Sequence, residues 1–141
     1  MKIRVINGPN LNMLGIREPE IYGRATYADL VAYVQESAAA LGAQVEVFQS
    51  NHEGCLVDYI QQSLGAADAI VINPAAYTHT SVAILDALKA VGLPAVEVHL
   101  SDVQAREEFR RVSYASKACI ATVAGLGFEG YRKAMEILAG R

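Results

Sequence analysis

Five short apolar runs alternate along the chain with segments of helical periodicity, and this alternation limits the possible folds more than any other feature. Runs with no polar alternation, such as Ile70-Val71-Ile72, are typical of strands buried on both faces of a parallel sheet. The segment Gln44–Gln49 alternates only in part, as an edge strand would. The predicted strands are Lys2–Asn7, Gln44–Gln49, Ala69–Asn73, Ala95–His99 and residues 118–124.

The segments between these strands carry apolar residues at helical spacing. Thr26 is a plausible N-cap for the first of them, and Gly42 follows its end. The predicted stripes are Tyr27, Leu30, Val31, Val34 and Leu41; Leu56, Ile60 and Leu64; Ile84, Leu85, Leu88 and Val91; and Phe128, Tyr131, Met135 and Leu138. A charged stretch, 103–111, is predicted as a short helix or turn. The repeated β-α order predicts an α/β fold, a flavodoxin-like three-layer sandwich with a five-stranded parallel sheet of order 2-1-3-4-5, in one domain over residues 1–141.

Composition and charge argue against several classes of protein. The 141 residues carry a formal net charge of −3, without the basic stripe of a nucleic-acid-binding surface. Cys55 and Cys119 are far apart and have no histidine at ligand spacing, so neither a disulfide framework nor a metal site is predicted. No leader pattern is recognised, and no apolar stretch approaches the roughly 20 residues that span a bilayer. We expect a soluble, cytoplasmic protein that binds neither nucleic acid nor membrane.

Polar side chains cluster where the predicted strands end. Parallel α/β sheets bind ligands outside the carboxyl ends of their strands. The residues expected at this rim are Asn7, Asn12, Asn73, His79, His99 and Ser101. Their convergence predicts a binding or catalytic site there.

The two histidines of this rim each have an alternative interpretation. His99 could be a hydrogen-bonded core residue, but its position at a strand end favours function, and Glu97 two residues earlier could fix its tautomer. Glu97 could instead pair with another strand. His79 could be a surface residue, or it could meet an anion near a helix capped by Thr78, Thr80 or Ser81. His52 is predicted only to fix a turn.

The connection over residues 10–23 is longer than the roughly 4–6 residues usual between elements, and such loops are commonly lids or binding loops. Arg17 alone would be read as a solvated charge, and Tyr22 alone as a turn residue. On one loop bounded by Gly15 and Gly23 they could close together over the site, where a nearby cation would favour the phenolate of Tyr22.

Arginines and glycines near the carboxyl terminus offer two further patterns. Arg106 and Arg110 are four residues apart, as on one helical face, and Arg110 is a candidate for binding a carboxylate. The segment 125–130 matches the dinucleotide pattern G-x-G-x-x-G, but it follows the last strand, and no further β-α unit follows it. Close packing of a helix on a strand explains these glycines better than nucleotide binding.

Several longer motifs resemble the type II 3-dehydroquinate dehydratases. They occur in the family's order and extend over essentially the whole chain. The matching segments are NLNMLGIREPEIYG (10–23), QSNHEG (49–54), INPAAYTHTS (72–81), EVHLS (97–101) and REEFR (106–110).

This resemblance implies a cofactor-free hydro-lyase that converts 3-dehydroquinate into 3-dehydroshikimate, a step used in the shikimate pathway of aromatic amino acid biosynthesis and in quinate catabolism. It implies a homododecamer, a tetramer of trimers. By position, Tyr22 would be the base, Arg17 would promote its ionisation, and Asn12 would hold a water at the enolate. His99 would be the general acid with Glu97 behind it. The implied substrate-binding residues are Asn73, His79, Asp86, Leu100, Ser101 and Arg110, with Asp86 reaching a neighbouring subunit's site.

The chain departs from the family pattern at two positions. Asp102 stands where Asn is usual, and Val112 where His is common; neither matches the assigned acid or base, but the surrounding polar contacts could differ. The alternatives from other classes are a flavodoxin-like module that binds a flavin or small anion without catalysis, and a receiver-type domain, which the Asn at position 73 disfavours. The nearest enzymatic alternative is a phosphate-eliminating lyase on a similar fold.

Overall fold

The computed structural model describes residues 1–16, 20 and 23–140, which form a five-stranded parallel sheet with helices on both faces. The strand order β2-β1-β3-β4-β5 confirms the predicted topology. The strands are β1 (Lys2–Asn7), β2 (Gln44–Gln49), β3 (Ala69–Asn73), β4 (Ala95–His99) and β5 (Ala121–Ala124). The helices are α1 (Tyr27–Ala40), α2 (Glu53–Gln62), α3 (Val82–Val91) and α4 (Glu129–Ala139).

Alternate residues of the central strands supply two cores, one on each face of the sheet. Ile70 and Ile72 of β3 face α2 and α3, where they pack with Leu56 and Ile84. Val71, between them, belongs to the core formed with α1 and α4. Because β3 is buried on both faces, its sequence shows no polar alternation. Edge strand β2 is only partly buried, in agreement with its mixed pattern.

Side-chain caps fix where the helices begin. Thr26 and Asp29 form a capping box at α1, in which each side chain bonds to the other residue's backbone N–H. At α3 the buried Ser81 hydroxyl accepts a hydrogen bond from Ile84 N at 2.9 Å, so Ser81 is the cap among the three candidates. Gly92 ends α3 with a φ of 65°, a left-handed conformation that glycine adopts without strain.

Three expectations about local structure were wrong. β5 begins at Ala121 rather than 118, because Ser113 and Ser116 form side-chain bonds to each other's backbone and hold Ala115–Ala118 as a 3-10 turn. Helix α2 ends at Gln62, and Leu64 beyond it is exposed. Arg106 and Arg110 do not share a helical face, because the chain is extended at Arg106, between separate 3-10 turns.

The strand register brings the carboxyl ends together at one edge. Asn7 pairs with both Gln49 of β2 and Asn73 of β3. Immediately after Asn7 and Asn73, the segments that follow β1 and β3 lie so close together that a Cβ on Gly8 would collide with the Pro74 carbonyl. Within residues 1–16, 20 and 23–140, no helix is both long enough and apolar enough to cross a membrane.

Candidate active site

A cavity opens at the carboxyl edge of the sheet, where the chain leaves β1, β3 and β4. It collects most of the described residues predicted for the rim and for substrate binding. Its lining comprises Pro9, Asn10, Leu11, Leu14, Asn73, Ala75, Ala76, His79, His99, Leu100, Ser101, Val103, Arg106 and Arg110.

The charge of this cavity is opposite to that of the chain. Arg106 and Arg110 both line it, and no acidic residue is among its described lining residues. Arg110 Nε donates a hydrogen bond to Glu107 Oε2 at 2.9 Å, which fixes the guanidinium. This bond, more than the charges of Arg110 and Arg106, holds the pKa of Glu107 below its ordinary value. The cavity therefore favours an anion.

His99 lines the cavity and forms a buried pair with Glu97, which is on the same strand, β4. His99 Nε2 lies 3.3 Å from Glu97 Oε2, and the two side chains are 6% and 1% exposed. Ser113 Oγ donates to Glu97 Oε1 at 2.5 Å, and Thr122 Oγ1 of β5 donates to Oε2 at 3.2 Å. Burial raises the pKa of Glu97, but His99 and the two hydroxyls outweigh this, and the pKa is lowered. Glu97 is thus a carboxylate beside His99 that also bonds to Thr122 of β5, so its pairing with another strand is confirmed, and its effect on the His99 tautomer stays a prediction.

The lowered pKa of Glu97 predicts acid sensitivity. The pKa of Glu97 in the folded protein lies below the usual value of 4.5, so the ionised carboxylate stabilises the fold fully at pH values above 4.5. This stabilisation is lost as the pH falls from 4.5 through the pKa of the folded state. In Glu97→Gln, the free energy of unfolding should therefore fall less steeply with acidification than in the parent. Urea unfolding at a series of pH values measures this free energy, and Glu36→Gln, at an exposed glutamate, is the control. If the free energy of unfolding falls with pH as steeply in Glu97→Gln as in the parent, Glu97 does not stabilise the fold in this way.

A buried tyrosine links the ends of β1 and β3 beneath the cavity. The hydroxyl of Tyr131, on α4, donates to Asn7 Oδ1 at 2.6 Å and accepts from Asn73 Nδ2 at 2.9 Å. Burial raises the pKa of Tyr131, so it remains a phenol that can donate. Asn73 Oδ1 accepts from Ala75 N at 3.1 Å, which settles the orientation of its amide. Asn7 therefore supports the site from below, while Asn73 reaches the cavity.

We expect Tyr131→Phe to destabilise the protein by about 1–3 kcal/mol, because it leaves two buried amide groups short of a partner. Chemical unfolding of the variant measures the loss. Tyr33→Phe removes a hydroxyl from half-buried Tyr33 of α1, whose ring packs on Phe128, and serves as the control. A Tyr131→Phe protein as stable as Tyr33→Phe would show that the network contributes nothing.

The loop after β3 places His79 by backbone contacts. Nδ1 of His79 lies 2.7 Å from the Val112 carbonyl oxygen, and because a carbonyl oxygen can only accept, Nδ1 is the nitrogen that donates. Ala75 in the same loop has a φ of 54°, and Asn10 across the cavity has a φ of 71°. Residues other than glycine rarely adopt this conformation, and such strain is concentrated at functional sites.

Among the glycines of 125–130, Gly130 shows the predicted close packing of a helix on a strand, whereas Gly125 and Gly127 adopt positive φ values of 80° and 58°. Gly127 N donates to Leu100 O at 3.0 Å, and Gly125 N donates to Ser101 O at 3.1 Å, which holds the segment that follows β4. A Cβ on buried Gly130 would lie 3.3 Å from Val98 Cγ1, so glycine lets α4 approach the sheet.

Among the described residues expected at the site, Asn7, Asn12, Asp86 and Glu97 do not line the cavity. Arg17 and Tyr22 lie outside the described residues. Asn12 is exposed and lies 3.4 Å from Gln49 Nε2 through its Oδ1. Asp86 is exposed on α3, away from the cavity. His52, predicted only for a turn, immediately precedes α2 and also lies away from the cavity.

Sequence reasoning missed Ser113, Thr122 and Tyr131. Ser113 and Thr122 carry no motif and become relevant only through their bonds to Glu97. Tyr131 was identified as part of an apolar helical stripe, and a tyrosine in such a stripe could have indicated a buried hydroxyl that needs a partner.

The parallel sheet, the cationic cavity and the buried His99–Glu97 pair define an α/β protein with acid–base groups at the switch point of its sheet. The family model for class II dehydroquinases matches residues 1–139, and the chain belongs to that family.

Similar proteins agree with this assignment. The chain is 58% identical to the catabolic 3-dehydroquinase of Verticillium alfalfae, over 98% of this chain and 92% of that one. It is 56% identical to the 3-dehydroquinate dehydratase of Corynebacterium glutamicum, over 98% and 95% of the respective chains. The crystal structure of type II dehydroquinase from Butyrivibrio crossotus superimposes with a TM-score of 0.96 at 49% identity, over 98% of this chain and 97% of that one. The chain is an enzyme of the lyase class, a hydro-lyase.

Proposed function

We propose that this enzyme removes water from 3-dehydroquinate to give 3-dehydroshikimate, and that it does so with its own side chains as acid and base, without a cofactor. The observation that carries this proposal is the junction of an arginine-lined cavity with the buried His99–Glu97 pair. A cationic cavity suits a carboxylate substrate, and a histidine beside a carboxylate suits proton transfer.

The reaction needs a base, a stabilised enolate and an acid. A proton leaves the carbon next to the ketone, negative charge collects on the enolate oxygen, and the β-hydroxyl departs as water. From the family pattern, Tyr22 takes the proton, Arg17 promotes its ionisation, and Asn12 holds a water at the enolate. His99 protonates the leaving hydroxyl, which is chemically consistent with its position in the lining of the cavity.

Glu97 acts through His99. Its carboxylate lies beside the imidazole and is fixed by Ser113 and Thr122, so its negative charge is held next to the group that we assign as the acid. The same contact holds the ring in one orientation. Glu97 is therefore a positioning residue.

Substrate binding falls to the residues around the cavity. Arg110 has N–H groups available for the carboxylate, since only its Nε is bonded to Glu107 in the contacts described above. Asn73 has a second Nδ2 hydrogen besides the one that Tyr131 accepts. His79 and the Leu100–Ser101 segment, also in the lining, complete the contacts with the hydroxyl and carboxylate groups.

The position of Asp86 supports a multimeric site. Asp86 is exposed and does not line the cavity of its own chain, so in our proposal it reaches the site of a neighbouring copy. The assembly we propose is a homododecamer, a tetramer of trimers, in the cytoplasm. Sedimentation of the purified protein tests the assembly, and a monomeric mass would contradict it.

The direct test of the activity is an assay with 3-dehydroquinate, with and without a chelator. We expect the ultraviolet absorbance of the conjugated product to rise at the same rate in both. An absence of product in both would contradict the activity. Loss of product only with the chelator would contradict the metal-independent mechanism. Flavin absorbance in the purified protein without turnover would support the non-catalytic alternative.

A further inference from the structure

Three buried polar side chains form a hydrogen-bonded network beneath the cavity. Asn7 and Tyr131 are fully buried, and Asn73 is 3% exposed. The hydroxyl of Tyr131 lies between the two carboxamides, and Tyr27 at the start of α1 extends the network, since its hydroxyl oxygen lies 3.3 Å from Asn7 Nδ2. The bond lengths alone allow more than one direction of donation, because a hydroxyl can rotate and a carboxamide can be turned over.

A backbone group fixes the direction of every bond in this network. The N–H group of Ala75 can only donate, so the atom that lies 3.1 Å from it must be the Asn73 oxygen, Oδ1. The Asn73 nitrogen therefore faces Tyr131 and donates to its hydroxyl oxygen. The hydrogen of Tyr131 cannot point back at that donor, and the acceptor that it reaches is Asn7 Oδ1, at 2.6 Å. Asn7 Nδ2 is thereby turned toward the oxygen of Tyr27.

The consequence for the cavity is that Asn73 meets a ligand as a donor. Asn73 lines the cavity, but its Oδ1 is bonded to Ala75 and one of its Nδ2 hydrogens is bonded to Tyr131. The second Nδ2 hydrogen is left for a ligand. A carboxamide turned over to offer its oxygen would place an N–H group against that of Ala75, and a backbone donor would lose its acceptor, which is unfavourable.

We propose that Tyr131 is a positioning residue for substrate binding, whose hydroxyl holds the Asn73 carboxamide so that an N–H group, and not the oxygen, is presented to the substrate. This inference rests on the proposed function. The bonds to Ala75 and Tyr131, at opposite ends of the carboxamide, also fix its plane. The substrate group at Asn73 is then one that accepts a hydrogen bond, namely the oxygen of a hydroxyl, a ketone or a carboxylate. A ligand that carries only donors at this point, such as an ammonium group, is rejected.

A purely structural role of Tyr131 makes a different prediction. The network joins α4 to the ends of β1 and β3, so its loss lowers stability in either case. Partial unfolding reduces the number of active sites and therefore the measured kcat, but the folded molecules keep their KM. A rise in KM at nearly unchanged kcat reports a loss of binding instead.

Tyr131→Phe tests the proposal, because it removes the hydroxyl and keeps the ring. Tyr33→Phe is the matched control, since Tyr33 packs on Phe128 and does not line the cavity. Without the hydroxyl, the Asn73 carboxamide keeps only its bond to Ala75 and can turn about its Cβ–Cγ bond. At a temperature where circular dichroism shows both variants folded, we expect Tyr131→Phe to have a KM for 3-dehydroquinate about tenfold above that of the control and a kcat within about threefold of it. Equal KM values in the two variants would overturn the proposal.

Neutron diffraction from the parent protein in deuterium oxide is a second test, which decides the question if Tyr131→Phe does not fold. With the product 3-dehydroshikimate bound, we expect the hydroxyl deuterium of Tyr131 to point at Asn7 and one amide deuterium of Asn73 to point at an oxygen of the ligand. Asn73 Oδ1 directed at the ligand, or the Tyr131 deuterium directed at Asn73, would overturn the proposal. Failure of the proposed function would be seen separately, as an absence of product when the parent protein is incubated with 3-dehydroquinate.

Discussion

Tyr22→Phe is expected to lower kcat by about 10²–10⁴-fold, the usual contribution of a general base, while substrate binding remains measurable. In the proposed mechanism the phenol oxygen takes the proton, and phenylalanine keeps the ring without that oxygen. To act near neutral pH, a tyrosine pKa must fall from about 10 to about 7, which takes roughly 4 kcal/mol of differential stabilisation. We assign that stabilisation to the positive charge of Arg17. Steady-state rates with 3-dehydroquinate and calorimetric binding of the product measure the two quantities separately.

Tyr114→Phe is the control for this experiment, because Tyr114 does not line the cavity. Its kcat should match that of the parent. Turnover by Tyr22→Phe within tenfold of the parent would remove Tyr22 from the role of base.

His99→Asn should also lower kcat by about 10²–10⁴-fold, because the hydroxyl then leaves without a proton donor. Asparagine keeps a polar group at the end of β4 but cannot carry a transferable proton. The effect on KM should be smaller, since the guanidinium groups of Arg106 and Arg110 and the ring of His79 remain in the cavity.

His52→Asn provides the comparison, since it makes the same change at an exposed histidine that does not line the cavity. A kcat for His99→Asn near that of His52→Asn would exclude His99 as the acid. A large rise in KM with unchanged kcat would instead make His99 a substrate-binding residue.

The fold was predictable because its signals are local. The run Ala69–Asn73 is buried at every position, and a strand buried on both faces shows this in its own residues. The cap residue Thr26 and the terminal glycine Gly92 likewise mark helix ends within a few residues. The order of the strands was predicted by analogy with the flavodoxin-like arrangement of five parallel strands, which the structure confirms.

The start of β5 and the separation of Arg106 from Arg110 were not predictable in the same way. Residues 118–120 have the composition of a strand, but the hydroxyls of Ser113 and Ser116 compete for the preceding backbone. The spacing of Arg106 and Arg110 fits a helix, yet the chain forms two tight turns that still place both residues at the cavity.

The candidate site was partly visible, because strand ends meet at one edge whatever their sequence. Asn73, His79 and His99 could be assigned to that edge from strand positions alone. The contacts that orient them could not, since Tyr131 is 124 residues from Asn7 in sequence and carries no motif. The bonds from Ser113 and Thr122 to Glu97 depend likewise on tertiary packing.

The central claim is that Tyr22 and His99 perform separate proton transfers around an enolate. Incubation of 3-dehydroquinate with each variant in deuterium oxide, followed by NMR, tests this most directly. The account predicts that His99→Asn incorporates deuterium at the carbon next to the ketone faster than it releases product, and that Tyr22→Phe neither exchanges nor releases product at a comparable rate. Deuterium exchange by Tyr22→Phe as fast as that by His99→Asn would contradict the account.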